Sequence, residues 1–241
     1  MISILDIKDA FDRISGHIHK TPILSSKTID RLVGAEVLFK CENLQKTGSF
    51  KIRGATNAVK QLSTSQLSNG IVTVSSGNHG AALSMAGTRI NTPVTVIMPS
   101  NTSKIKIENV KRSGGSIVWC EPNQRSREQT LEKVVSDTGA VVVHPYNDAR
   151  VIAGQGTAGL EIVSDYPDID AIITPVSGGG LLSGTLLSAK YTNPKIKVYG
   201  AEPLEADDTF RSLQEGKIVP NKTTNTICDG LRAQVGSITF P

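Results

Sequence analysis

Seven short apolar runs recur along the chain in alternation with segments of helical length, and this alternation restricts the fold more than any other feature. The runs span residues 35–42 (AEVLFKCE), 70–76 (GIVTVSS), 93–99, 116–121, 140–145, 170–176 and 196–203. They are rich in Val and Ile and often apolar on both faces, as strands buried in a parallel sheet are. Among them lie GNHGAALSMAGTR, TSKIKIENVKRSG, SREQTLEKVVSDTG and DARVIAGQGTAGLEIVSDY, each of helical length with plausible caps. The alternation predicts an α/β fold with mostly parallel sheets flanked by helices. Residues 69–144 hold four strands and three helices in regular βαβ order. They are expected to close as a small domain inserted between the two pieces, 1–68 and 145–241, of a larger one. No internal repeat or low-complexity linker interrupts the pattern.

Composition narrows the function by exclusion. A chain of 241 residues, 38% hydrophobic and 20% charged, has the make-up of an ordinary soluble globular protein with a real core. The net charge of +4 is densest at Lys104–Arg112, without interleaved aromatics, which predicts a solvated helix face and not a nucleic-acid surface. The opening MISILDIKDAFDRI carries acids early and reads as an amphipathic helix, not a leader. No apolar run approaches the ~18 residues that span a bilayer. Cys41, Cys120 and Cys228 are odd in number and widely spaced, so reduced thiols in a cytoplasmic protein are expected.

In open parallel sheets ligands bind beyond the carboxyl ends of the strands, so the loops just after strands are the informative ones. SSGNHG (Ser75–Gly80) follows a strand and opens a helix. Its small residues let backbone amides approach an anion at a helix N-terminus, and Asn78 adds an amide; an ordinary helix cap with spacer glycines is the alternative. SGGGLLSG (Ser177–Gly184) also follows a strand. Three consecutive glycines make a nest of backbone donors suited to a phosphate, at an entropic cost that favours function over a simple turn. No Gly-Lys-Ser/Thr follows, so this is not a Walker loop. Gly154-Gln-Gly156-Thr-Ala-Gly159 matches a dinucleotide fingerprint letter for letter. It does not follow a strand directly, and the glycines are expected inside a helix, where they permit close packing.

Lys51 stands in KTGSFKIRGA, flanked by small residues. Most lysines simply face solvent. A lysine, a phosphate nest and an anion-binding loop in one chain suggest an aldehyde cofactor that carries a phosphate. Pyridoxal phosphate fits, with Lys51 supplying the Schiff base.

These residues resemble a known family. CENLQKTGSFKIRGA is similar to the cofactor-lysine motif of the fold-type II pyridoxal-phosphate enzymes, of tryptophan synthase β-like fold with two open, mostly parallel sheets. The likeness is to the serine racemase and serine/threonine dehydratase group. SSGNHGAAL, SIVWCEP, VVVHPYNDARVIAGQGTAGLEI, SGGGLLSG and KVYGAEPLEADD extend it, in order and spacing, over nearly the whole chain. It implies that Lys51 is the Schiff-base lysine and Phe50 the residue packed beside the cofactor. Asn78 would meet the ring hydroxyl, and Gly178, Gly179, Gly180, Leu181 and Gly230 would hold the rest of the cofactor. Ser75, Ser76, Asn78 and His79 would receive the carboxylate of a small amino-acid substrate. Ser76 is the discriminating residue, because a hydroxyl on the face opposite Lys51 allows racemisation, where dehydratases with alanine there only eliminate.

The resemblance also implies a divalent cation, Mg²⁺ or else Ca²⁺ or Mn²⁺, on Glu202, the Ala206 carbonyl and Asp208, and a homodimer in the full-length form. Relatives of this type continue beyond DGLRAQVGSITFP, so the C-terminal part of the large domain is expected to be absent, and with it the group facing the pyridine nitrogen. Ala233 stands where animal-type serine racemases have a serine. The reading is therefore a racemase with accompanying β-elimination of serine or threonine. A pure ammonia-lyase for threonine, serine or 3-hydroxyaspartate remains an alternative, as does a non-catalytic cofactor-binding fragment.

Overall fold

Apolar residues three and four apart in the opening segment form a helix that buries one face, Ile7, Ala10 and Ile14. This first helix, α1, runs Ile4–Ile14 and is closed at its start by a reciprocal Ser3–Asp6 capping box. The computed structural model describes residues 2–240, so Met1 and Pro241, the outer ends of the expected larger domain, lie outside it. Next come strand β1 (Ile23–Ser25), helix α2 (Lys27–Val33) and strand β2 (Leu38–Lys40). Helices α3 (Lys51–Val59) and α4 (Thr64–Ser68) follow.

The expected βαβ run then appears in full. Strands β3 (Ile71–Val74), β4 (Val94–Pro99), β5 (Ser116–Cys120) and β6 (Val141–Val142) alternate with helices α5 (Asn78–Thr88), α6 (Lys104–Arg112) and α7 (Gln124–Thr138). All pairings are parallel and the spatial order is β5-β4-β3-β6. The chain steps outward from β3 to β4 and β5, then crosses back so that β6 flanks β3 on its other side. That reversal makes the carboxyl ends of β3 and β6 a topological switch point, where such sheets leave a crevice.

Helix α8 (Ala149–Asp165), strand β7 (Ala171–Pro175), helix α9 (Gly180–Thr192), strand β8 (Lys197–Ala201) and helix α10 (Asp208–Glu215) complete the elements. β7 and β8 pair in parallel. Gly154, Gly156 and Gly159 do lie inside α8, as the strand-context argument expects. A Cβ on Gly154 would stand 2.6 Å from the Gly54 Cα, and one on Gly156 would stand 3.0 Å from the Gly184 carbonyl oxygen. The glycines therefore let α3 and α9 pack directly on the α8 backbone.

Two expectations change. The run 35–42 is not a buried parallel strand: only Leu38–Lys40 pair, antiparallel to Ile23–Ser25, with Phe39 exposed. Three-residue strands carry too little periodicity to reveal their partner. Strands β7 and β8 are also not buried on both faces, since Ile173 and Tyr199 stand opposite one another in exposed positions. In α6 only Val110 is buried, and Lys104 and Lys111 face solvent as expected, whereas Lys106 is half-buried and pairs with Asp229. The three cysteines are free thiols. No helix among the described residues is long and apolar enough to cross a membrane.

The core beneath the switch point joins α3, α5 and the four-stranded sheet through Ile52, Ala55, Leu83, Val96 and Val151. A buried charge cluster locks α3 from behind. Arg53 is fully buried, and its guanidinium donates to both Glu42 oxygens at 2.8 Å and to Glu161 at 2.8 and 3.0 Å. Lys40, 8% exposed, adds a 2.5 Å bond to Glu161. These contacts tie α3 to α8 and β2 and thereby hold Lys51, two residues before Arg53.

Candidate active site

Lys51 begins α3 with its side chain in a cleft of about 1090 Å³ that opens over the switch point. Its Nζ donates to the Pro145 carbonyl at 2.9 Å and lies 5.3 Å from the Phe50 ring centroid. Among the described residues it forms no ion pair with a carboxylate. Surrounding protein removes hydration from the ammonium without supplying an opposite charge, and its pKa falls from the ordinary lysine range to about 8.

Two histidines near that charge are also held neutral. His79 is 2% exposed, and burial, reinforced by Lys51, lowers its pKa to about 3. Its Nε2 lies 3.3 Å from the Val143 carbonyl, while Nδ1 has no partner among the described residues. His144 is lowered by burial first and by Lys51 second. Lys51 thus faces imidazoles that do not compete for charge.

The loop after β3 turns at once into α5. The Ser75 hydroxyl accepts from the amides of Gly77, at 3.3 Å, and Gly80, at 3.0 Å, so it acts as a local cap. The amides of Ser76, Asn78 and His79 have no acceptor among the described residues. Donors left over at a helix N-terminus suit an anion. The side chains of Ser76 and Asn78 are exposed to the same cleft.

The loop after β7 gives a second set of free donors. Gly179, at φ +88°, is the N-cap of α9, and the amides of Gly178, Gly179, Gly180 and Leu181 likewise have no acceptor among the described residues. Nothing larger than glycine fits: a Cβ on Gly178 would stand 2.2 Å from the Tyr146 ring, and one on Gly179 would stand 2.8 Å from Thr239. Phe50, Lys51, both loops and Gly230 line one cleft, so every catalytic, cofactor and substrate residue expected from the sequence converges there.

Glu202, Ala206 and Asp208 lie outside that cleft. The Glu202 carboxylate accepts from the amides of Thr209 at 3.2 Å and Phe210 at 2.9 Å. Asp208, 1% exposed, accepts from the Val235 amide at 2.7 Å and from Asn221 at 2.8 Å. Burial, together with the Asp208 charge, raises the Glu202 pKa, and the opposing amide bonds only offset this in part. No cationic side chain pairs with either acid among the described residues. Nor does that set contain a group of three or more His, Cys, Asp or Glu able to hold a metal.

Several lining residues escape sequence reasoning. His144, Pro145 and Tyr146 enter from the loop after β6, whose position after a strand was the available signal. Lys106, Arg127 and Arg232 add positive charge to the cleft. Lys106 meets Asp229 at 2.5 Å, while the buried Nε of Arg127 has no partner among the described residues.

A family model described as "Pyridoxal-phosphate dependent enzyme" matches residues 14–241. The chain is 49% identical to serine racemase of Arabidopsis thaliana over 238 residues, which cover 99% of this chain and 72% of that protein. It is 45% identical to the β-hydroxyaspartate dehydratase of Paracoccus denitrificans (strain Pd 1222), covering 98% of this chain and 75% of that one. The solved structure of maize serine racemase superposes with a TM-score of 0.98 at 47% identity, over 100% of this chain and 73% of that chain.

Proposed function

Since the chain belongs to the family of pyridoxal-phosphate dependent enzymes and shares their fold-type II architecture, we propose that it racemises serine, with β-elimination of serine or threonine as a companion reaction. The observation that carries this reading is the meeting of the weakly basic Lys51 amine and the Ser76 hydroxyl in one cleft with two sets of unpartnered backbone amides. The residues fit the cofactor. Four free amides in a cradle where a Cβ on Gly178 or Gly179 would collide suit its phosphate, and an amine with a pKa of about 8 suits its aldehyde. Gly178, Gly179, Gly180 and Leu181 would hold the phosphate, Lys51 the aldehyde carbon, and Phe50, Asn78 and Gly230 the ring and its surroundings. When bound, pyridoxal phosphate supplies an electron sink for the pair left on Cα when its proton departs.

The chain's own groups do the rest. The amides of Ser76, Asn78 and His79 receive the substrate carboxylate and fix Cα. Lys51 takes the Cα proton at Nζ, and its lowered pKa suits proton transfer near neutral pH. The Ser76 hydroxyl returns a proton to the opposite face, which inverts the centre. In elimination the Cβ–O bond breaks in place of reprotonation: the pair left on Cα forms the Cα=Cβ bond, and the hydroxyl leaves with a proton as water. Ser76→Ala should abolish interconversion of L- and D-serine and spare keto-acid formation, measured by chiral chromatography and a coupled pyruvate assay. Retained racemisation in that variant would overturn the two-base assignment.

The same reading includes a small substrate-binding domain at 69–144, with 1–68 and 145–241 as the cofactor domain, and assembly as a homodimer. It also includes a divalent cation, Mg²⁺ or else Ca²⁺ or Mn²⁺, on Glu202, the Ala206 carbonyl and Asp208. A half-buried Glu202 and a buried Asp208, neither with a cationic partner among the described residues, fit a hard ion with oxygen ligands.

A second reading draws on Arg127 and Arg232, since Lys106 is already paired with Asp229. Cations around the cleft favour a substrate with a second carboxylate, such as 3-hydroxyaspartate, and a relative named for that substrate is 45% identical. Measured kcat/KM values for 3-hydroxyaspartate and L-serine decide between the two: a higher value for the dicarboxylate establishes the second reading.

A further inference from the structure

We infer that His144 is a positioning residue for Lys51: its Nδ1 lone pair pins the turn that carries the Pro145 carbonyl, the acceptor of the Lys51 amine. The inference rests on the reading of Lys51 as the reactive amine and adds how that amine is aimed.

The chain leaves the sheet at Val143, whose amide makes the last ladder bond to the Val72 carbonyl at 3.0 Å. It then folds back around Pro145. The fold-back is closed by the His144 side chain, whose Nδ1 accepts from the amides of Asn147 at 2.8 Å and Tyr146 at 3.3 Å. This is the local closure an Asx turn makes with a carboxamide oxygen, here made by an imidazole. A nitrogen that accepts two N–H groups keeps its lone pair, so the ring is neutral with its proton on Nε2. The ring also stands edge-on to Tyr146, with centroids 4.6 Å apart.

What the turn touches gives the pin its consequence. Pro145 offers its carbonyl to Lys51 Nζ at 2.9 Å. The Tyr146 ring fills the space that a Cβ on Gly178 would occupy. Asn147 accepts from the Ile238 amide at 2.8 Å and donates to the Ser237 hydroxyl at 3.1 Å. One turn, closed by one side chain, therefore sets the lysine amine, the glycine cradle and the loop that closes over that cradle. An amine displaced by about 1 Å can lose on the order of a hundredfold in rate, so small slack in this turn reaches the chemistry.

The test compares His144→Leu, His144→Asn and His144→Gln with the unaltered chain. Asn places an acceptor oxygen where Nδ1 stands; Gln places its polar atoms where Nε2 stands. One readout needs no cofactor: hydrogen exchange at the Tyr146 and Asn147 amides, together with the imidazole nitrogen shifts of His144. The second is the rate at which added pyridoxal phosphate forms an imine on Lys51, followed by absorbance.

The expected result is an Nε2–H ring, protected amides in the unaltered chain and the Asn variant, and lost protection in the Leu and Gln variants. Imine formation should slow by about tenfold or more in Leu and Gln and be restored by Asn. Rescue by Gln and not by Asn, unprotected amides in the unaltered chain, or an unchanged rate in Leu would each overturn the inference. An unaltered chain with protected amides that forms no imine on Lys51 would instead overturn the reading of Lys51 on which the inference stands.

Discussion

Lys51 is basic and yet inclined to be neutral, because the protein around it removes water without offering a carboxylate. Its folded-state pKa of about 8 lies below the ~10.4 of an ordinary lysine, so the neutral, nucleophilic amine is populated at lower pH than on any freely hydrated lysine. Competitive acetylation across pH, read peptide by peptide, should place the Lys51 midpoint near 8 and those of surface lysines near 10. A Lys51 midpoint in the ordinary range would contradict the desolvated environment. His79 and His144 stay neutral beside it for the same reason, and protonating either would put a second charge into the site. Ser75 lines the same cleft, but its hydroxyl oxygen accepts from the Gly77 and Gly80 amides, while Ser76 is the more exposed of the two.

At the scale of elements, α3 carries the lysine, and its placement depends on charges that never meet solvent. Glu161, 3% exposed on α8, accepts from both Arg53 and Lys40. Replacing it with glutamine removes the anion and leaves Lys40 and part of Arg53 without compensation, a change that costs about 3–5 kcal/mol in buried pairs. Denaturant unfolding of Glu161→Gln should show a loss of that size; a change within about 0.5 kcal/mol would mean that the cluster contributes nothing to stability. Much at this scale was legible in the residues. The four parallel strands at 71–142 and the helical setting of Gly154–Gly159 follow from period and strand context. The glycine nest was visible because Gly178–Gly180 directly follow an apolar run. The β1–β2 pair was not, since three-residue strands at 23–25 and 38–40 have too few positions to show alternation. Tyr146 was also hidden: its contact with Gly178 exists only once the ends of β6 and β7 are brought together.

For the whole molecule, the crossing from β5 to β6 around β3 brings together loops that are far apart in the chain. The Ser75–Gly80, His144–Asn147 and Ser177–Leu181 segments each end a strand, and together with Lys51 they enclose one cleft. The chain covers 72% of the length of its Arabidopsis relative, and Lys51 and both sets of free amides meet in one cleft within these 241 residues. The most direct measurement is borohydride reduction of the purified chain with pyridoxal phosphate, followed by peptide mapping. A single pyridoxyl adduct on Lys51 is expected. An unmodified Lys51, with label scattered over surface lysines, would contradict it and show that these residues do not by themselves form a working cofactor site.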